Sequence, residues 1–64
     1  MTIVERMHNI ARELHDLSIE ISKQAPNGTD LENRVSLWRM SDDCLQDSEN
    51  MVLKMQLYKA IMGE

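Results

Sequence analysis

The fold is decided by residues 25–29, which read Ala25-Pro26-Asn27-Gly28-Thr29. Pro26 disfavours helical geometry in the residue before it, and Asn27-Gly28 supplies a tight turn. The chain of 64 residues has no other proline, and its second glycine, Gly63, stands where a helix C-cap is expected. The sequence therefore predicts one reversal between two helices, an all-α antiparallel hairpin that forms a single domain over residues 1–64.

The segment before the turn is predicted to be a helix over about residues 3–24. Thr2 and Glu5 have the N-cap and N3 spacing of a capping box. Apolar residues then recur at alternating steps of four and three, which is the pattern of a coiled-coil interface: Ile3, Met7, Ile10, Leu14, Leu17 and Ile21. Val4, Ala11 and Ser18 widen this stripe on one side.

The segment after the turn is predicted to be a longer helix, over about residues 30–62, with Thr29 as N-cap and Glu32 at N3. Ser41 and Ser48 lie in the middle of its apolar arc, where small side chains permit close helix approach. The arc has two rows with two methionines between them: Leu37, Cys44, Met51 and Tyr58; Leu31, Trp38, Leu45 and Val52; Met55 and Met62. Poor helix formers at residues 42–43 and 47–50 could kink this helix or restart it near Ser48.

The unequal helix lengths predict an overhang. If the turn is centred on Asn27, Ile3 should lie near residue 51, Cys44 should lie near residue 10, and residues 52–62 should extend beyond the first helix. Apolar side chains there point in nearly all directions, so another chain must cover them. A second copy would complete a helical bundle. The expected partner-binding residues are Trp38, Met51, Met55, Leu57, Tyr58, Ile61 and Met62.

Composition narrows the class of function. A net charge of −4 with seven dispersed basic residues argues against nucleic-acid binding, which needs clustered Lys and Arg. The first apolar segment carries charges throughout, so neither a signal peptide nor a membrane span is expected. The lone Cys44 allows no disulfide within the chain and suits the reducing cytoplasm. Six methionines and no phenylalanine favour adaptable contact surfaces.

No constellation of residues predicts catalysis, a metal or a cofactor. His8 and His15 are seven residues apart, whereas helical zinc ligands normally stand at i and i+4. His15 and Asp16 are adjacent and therefore point apart on a helix. A contact between His8 and Cys44 across the hairpin is the one metal arrangement that the spacing allows. We expect Cys44 to be a buried, unreactive thiol.

Two groups of residues each allow two interpretations. The acidic residues Asp42, Asp43, Asp47 and Glu49 are expected to form a solvated face or else a dock for a basic partner. Trp38 is expected to pack against protein. With Arg34, Arg39 and Lys54 it could instead bind a small anionic nucleotide between protomers.

Two families share features with this chain. The opening Met1-Thr2 with Glu5, His8 and Asn9, the turn Asn27-Gly28-Thr29-Asp30, and Trp38-Arg39 resemble the YscE-type co-chaperones of type III secretion needle subunits. That resemblance implies a helical hairpin that binds a second chaperone and keeps the needle protein unpolymerised. The segment Arg34-Val35-Ser36-Leu37 after Pro26 is similar to phage anti-CBASS cyclic-nucleotide sponges, which would imply oligomers with ligands between protomers.

The sequence thus predicts a non-catalytic hairpin that binds itself, as a dimer or higher oligomer, and another protein. Its role would be that of a small adaptor, chaperone or inhibitor, compatible with a phage- or plasmid-type regulator. An oligomeric nucleotide sponge is the alternative from another class.

Overall fold

The computed structural model describes residues 2–63, so Met1 and Glu64 lie outside the described residues. Helix α1 spans Ile3–Gln24, a 3-10 turn spans Ala25–Asn27, and helix α2 spans Leu31–Met62. The two helices pack side by side in an antiparallel hairpin, and residues 2–63 contain no strand. The predicted all-α hairpin is confirmed. Its extents of 50 × 18 × 9 Å describe a slab that is one helix thick.

Both helices begin at side-chain caps. The backbone N–H of Glu5 donates to Thr2 Oγ1 over 3.1 Å, so the cap predicted for α1 is confirmed. The cap predicted for α2 is wrong by one residue, because Asn33 N–H donates to Asp30 Oδ1 over 2.8 Å. Asp30 has an extended backbone, and its carboxylate accepts this hydrogen bond. The negative charge of the carboxylate also interacts favourably with the positive end of the helix dipole. Thr29 Oγ1 instead accepts from the Asn33 side-chain amide.

Helix α2 runs through Ser48 without a break and ends at Gly63, whose φ of 73° is left-handed. The poor helix formers near Ser48 are outweighed by packing, since Ser48 is one of the few buried residues of the hairpin. Gly63 N–H donates to Lys59 O, as expected of a glycine that terminates a helix.

Two hydrogen bonds between the helices define their register. Ser41 Oγ donates to Ser18 O, and Ser48 Oγ donates to Ala11 O, each over 2.7 Å. Ile3 therefore lies level with residue 56 and Cys44 level with His15. The expected levels of residue 51 for Ile3 and residue 10 for Cys44 were wrong by five residues. The 3-10 helix at Ala25–Asn27 extends α1 by about one helical turn. The chain therefore reverses direction at residues 28–30 and not at Asn27, where the reversal was expected.

The line of contact between the helices follows small side chains. Ala11, Ala25, Ser18 and Ser48 are buried, and no large side chain of residues 2–63 is fully buried. On α1 the residues that face α2 are Val4, Met7, Ala11, Leu14, Ser18, Ile21 and Ala25. This interface is rotated relative to the predicted one. Ile3, Ile10 and Leu17, which were expected inside, are 51%, 44% and 44% exposed because the small residues allow close approach and turn the large ones outward.

Candidate interaction surfaces

The slab presents two broad faces on either side of the line of contact. A groove lined by Ile21 and Leu37, and another lined by Leu37 and Met40, lie on one face. Side chains spaced by three, four and seven residues continue that face along both helices. We call it the Met face, and its members are Ile3, Met7, Ile10, Leu14, Leu17, Ile21, Leu37, Met40, Cys44, Asp47, Met51, Lys54, Tyr58 and Ile61.

The opposite face also carries two grooves. One is lined by His8, Met55 and Lys59, and the other by His15, Leu45 and Val52. We call this surface the Trp face, and its members are His8, His15, Ile19, Leu31, Trp38, Asp42, Leu45, Glu49, Val52 and Lys59. These four grooves are open to solvent, so the surfaces suit contact with another helix better than enclosure of a small molecule.

The Met face is apolar across the full width of the slab. Met40 is 54% exposed and Ile61 is 71% exposed, while Ile3, Ile10 and Leu17 form a row of exposed residues on α1. Of the members named above only Asp47 and Lys54 are charged, while Asp43, five helical turns before Ile61, lies at the outer edge of the same face. Met40 was not among the residues predicted to bind a partner; the signal that could have identified it is its place in the seven-residue series Met40, Asp47, Lys54 and Ile61.

The Trp face is mixed in character. Leu31, Trp38 and Leu45 are exposed on α2, and Ile19 is exposed on α1. Histidines lie on the α1 side of this face and the carboxylates of Asp42 and Glu49 lie along its α2 edge. The four acidic residues do not form one patch, because Asp43 and Asp47 are one turn apart on the side of the Met face, whereas Asp42 and Glu49 lie on the Trp face.

The C-terminal overhang is shorter than the sequence predicted. With Ile3 level with residue 56, only Leu57–Met62 extends beyond α1, a length of about 9 Å. Of the residues expected to bind a partner, Met51 and Met55 are half-buried opposite α1, and Tyr58, at the start of the overhang, is also half-buried. Leu57, Ile61 and Met62 are 61%, 71% and 58% exposed, and Trp38 is 45% exposed.

The residues of the nucleotide-sponge alternative do not form one site within the chain. Arg34 Nε donates to Gly28 O over 3.2 Å, so this side chain is engaged with the turn. Lys54 lies on the Met face, about 24 Å along the helix from Trp38 on the other face. Arg39 points away from α1.

Candidate metal ligands are also separated. Cys44 is half-buried on the Met face, less buried than expected, whereas His8 and His15 lie on the Trp face. The contact between His8 and Cys44 that the sequence allowed does not form. His15 Nδ1 lies 3.9 Å from Asp16 Oδ1, although these neighbours were expected to point apart. Within residues 2–63, no three His, Cys, Asp or Glu side chains gather as a metal site.

Comparison of the chain with protein-family models, with curated proteins and with solved structures finds no match. Among the described residues, neither helix combines the length and apolar character needed to cross a membrane.

Proposed function

We propose that this chain is a non-catalytic, protein-binding helical hairpin that acts as a small adaptor, chaperone or inhibitor. The observation that carries the proposal is the distribution of its apolar side chains. Twelve large hydrophobic residues are exposed, whereas the only buried hydrophobic side chains of the described residues are two alanines. The core of a chain of this size contributes only about 3–5 kcal/mol to the free energy of folding. An exposed apolar surface of this extent is typical of a protein that binds another protein.

The surfaces that would bind partners are the two broad faces and the overhang Leu57–Met62. Their side chains are mostly leucine, isoleucine and methionine, which adapt to the contours of a partner helix. Trp38 adds a large aromatic anchor to the Trp face, and aromatic anchors often dominate binding energy. The resemblance to secretion co-chaperones supports the same class of function, and the lone thiol of Cys44 supports a cytoplasmic location.

The overhang provides a direct test of this proposal. In the variant Leu57→Lys/Ile61→Lys, two charges replace apolar side chains beyond the reach of α1, so helicity should persist while association is lost. The matched control, Glu13→Lys, makes the same net change of two charges at an exposed position of α1 that belongs to neither broad face nor to the overhang.

We expect the wild-type chain to sediment at micromolar concentration as a species heavier than 7.4 kDa, or to retain a protein partner when tagged in cells. The control should behave in the same way, and the overhang variant should not. A well-folded wild-type monomer that retains no partner would overturn the proposal, as would an overhang variant that associates normally.

A further inference from the structure

We infer that the Met face binds a second copy of this chain, with α2 antiparallel to α2 of the second copy around a two-fold axis between Asn50 and Met51. The inference rests on the proposed function and specifies its partner and geometry. It is carried by the pattern of side chains along α2, by the register of the hairpin and by the charges on the opposite face.

The charged and apolar members of the Met face are placed symmetrically about this point. Asp47 and Lys54 are equally far from it on either side, and so are Met40 and Ile61. A two-fold axis there makes Asp47 level with Lys54 of the second copy and Met40 level with Ile61 of the second copy. Both charges of the face thus find an opposite charge, twice per dimer, and the most exposed apolar residues cover one another.

The same axis suits helix α1. From the register fixed by Ser48 and Ala11, the axis crosses α1 near His8 and Asn9. The stretch from Ile3 to Leu14 then lies alongside the same stretch of the second copy. The Met-face residues there are Ile3, Met7, Ile10 and Leu14, all apolar. The α1 contact is therefore hydrophobic throughout.

The overlap takes in three quarters of α2 and about half of α1. Residues 39–62 of α2 would overlap with the second copy, a length of about 36 Å. The slab is 50 Å long and 18 Å wide, so about two thirds of the Met face would be covered. Two thirds of a 50 × 18 Å face is about 600 Å² in projection, and a standard interface buries about 800 Å² of accessible surface on each partner. Residues 57–62 would lie level with residues 39–44 of the second copy, which supplies the missing neighbour of the overhang.

Two other arrangements are less favourable. A two-fold axis parallel to the helices would set α2 over α1 of the second copy and bury Asp47 and Lys54 against its isoleucines and leucines. Pairing of α2 with α2 through the Trp face about residues 45 and 46 would set Asp42 of each copy level with Glu49 of the other, so four carboxylates would lie along one edge with Lys59 too far along the helix to offset them. The Met face is therefore the self-complementary one.

Charge reversal tests the geometry. Asp47→Lys and Lys54→Asp should each weaken dimerisation by about tenfold, because two ion pairs per dimer become like-charge contacts. The double variant Asp47→Lys/Lys54→Asp restores both pairs and should return to within about threefold of wild type. Asp42→Lys makes the same charge change at an exposed position of α2 on the Trp face, away from the proposed contact, and serves as the control. Sedimentation equilibrium over a concentration series gives the dissociation constants.

Cross-linking at the axis gives a second, independent measurement. In a Cys44→Ser background, Met51→Cys should form a disulfide between copies in oxidised glutathione, since the two residues 51 meet at the axis. Leu53 is 62% exposed and points away from the Met face. The control variant Leu53→Cys should therefore form no disulfide between copies. Non-reducing electrophoresis of the folded protein distinguishes the two.

The outcomes separate this inference from the proposed function. A dimer in which charge reversal is not rescued and Met51→Cys does not link overturns the geometry alone. A monomer that still binds a different protein through its overhang also overturns the inference while the proposed function stands. A monomer that binds nothing overturns both.

Discussion

Replacing Ser48 by leucine tests whether the hairpin depends on close approach of its helices. Ser48 is 6% exposed, and its Oγ donates to the carbonyl of Ala11, which is 4% exposed. A leucine at this position has nowhere to go without separating α1 from α2. Overpacking of this kind costs about 1–3 kcal/mol, and the lost hydrogen bond costs about 0.5–1.5 kcal/mol. The expected loss of about 2–4 kcal/mol approaches the whole stability of a chain this small.

Two companion variants separate size from hydrogen bonding. Ser48→Ala removes the hydrogen bond without adding volume, and the better helix propensity of alanine offsets about 0.5 kcal/mol of that loss. It should therefore stay within about 1 kcal/mol of wild type. Ser36→Leu makes the leucine substitution at an exposed position of the same helix and should be nearly neutral.

Urea denaturation followed by circular dichroism at 222 nm measures these differences, at one fixed protein concentration because self-association adds to apparent stability. If Ser48→Leu is as stable as Ser36→Leu, the helices are not closely packed at this point. If Ser48→Ala is as damaging as Ser48→Leu, the hydrogen bond rather than the short distance holds the interface.

Three further predictions follow from the interface and the turn. Leu14→Ala should lower the free energy of unfolding by about 2 kcal/mol or more, while Leu17→Ala should cost less because Leu17 is 44% exposed; thermal unfolding compares them. Asp30→Ala should cost about 1 kcal/mol and Thr29→Ala clearly less, and equal losses in urea denaturation would contradict the assignment of Asp30 as the cap. Inserting about four Gly/Ser residues after Gly28 should change the free energy of unfolding by less than about 1 kcal/mol, since closure entropy grows slowly with loop length; a large loss would show that the turn itself makes essential contacts.

The hairpin could be predicted from the sequence because its determinants are local. Pro26 and Asn27-Gly28 are an isolated turn signal, Thr2 is followed by Glu5 at the right spacing, and Gly63 ends the second helix. Each of these signals depends on neighbours within a few residues. The N-cap of α2 was displaced by one residue because Thr29 and Asp30 are both capping residues, and the choice between them depends on backbone geometry.

The rotation and register of the helices could not be predicted because they depend on the other helix. Met7, Leu14 and Ile21 belong to two overlapping stripes, one completed by large residues such as Ile10 and one by small residues such as Ala11. Hydrophobicity alone favours the large set. Serines on α2 that bond to α1 carbonyls favour the small set, and the large set then becomes the exposed Met face.

The interaction surfaces were likewise predictable only where they depend on local sequence and not on the packing of the two helices. The exposure of Leu57, Ile61 and Met62 agreed with expectation, because the greater length of the second helix is evident from the position of the turn. The division of the remaining apolar residues between two faces required the register. Met40 and Ile19 were not singled out, since neither belongs to the stripes that the sequence suggested.

The spacing of the small side chains has a consequence for how far the helices can slide. Ala11, Ser18 and Ala25 are seven residues apart on α1, as are Ser41 and Ser48 on α2. Shifted by one heptad, Ser48 would lie level with Ser18 and Ser41 level with Ala25, so small residues would again face each other, although Ala11 would then face Met55 instead of Ser48. The shift would carry the start of α2 about 10 Å beyond the end of α1, which the short connection of residues 28–30 does not reach. With a connection lengthened by seven or more residues, α2 could pack against α1 in either of two registers. In the second register the C-terminal turns of α2 would lie alongside α1 and would no longer extend beyond it.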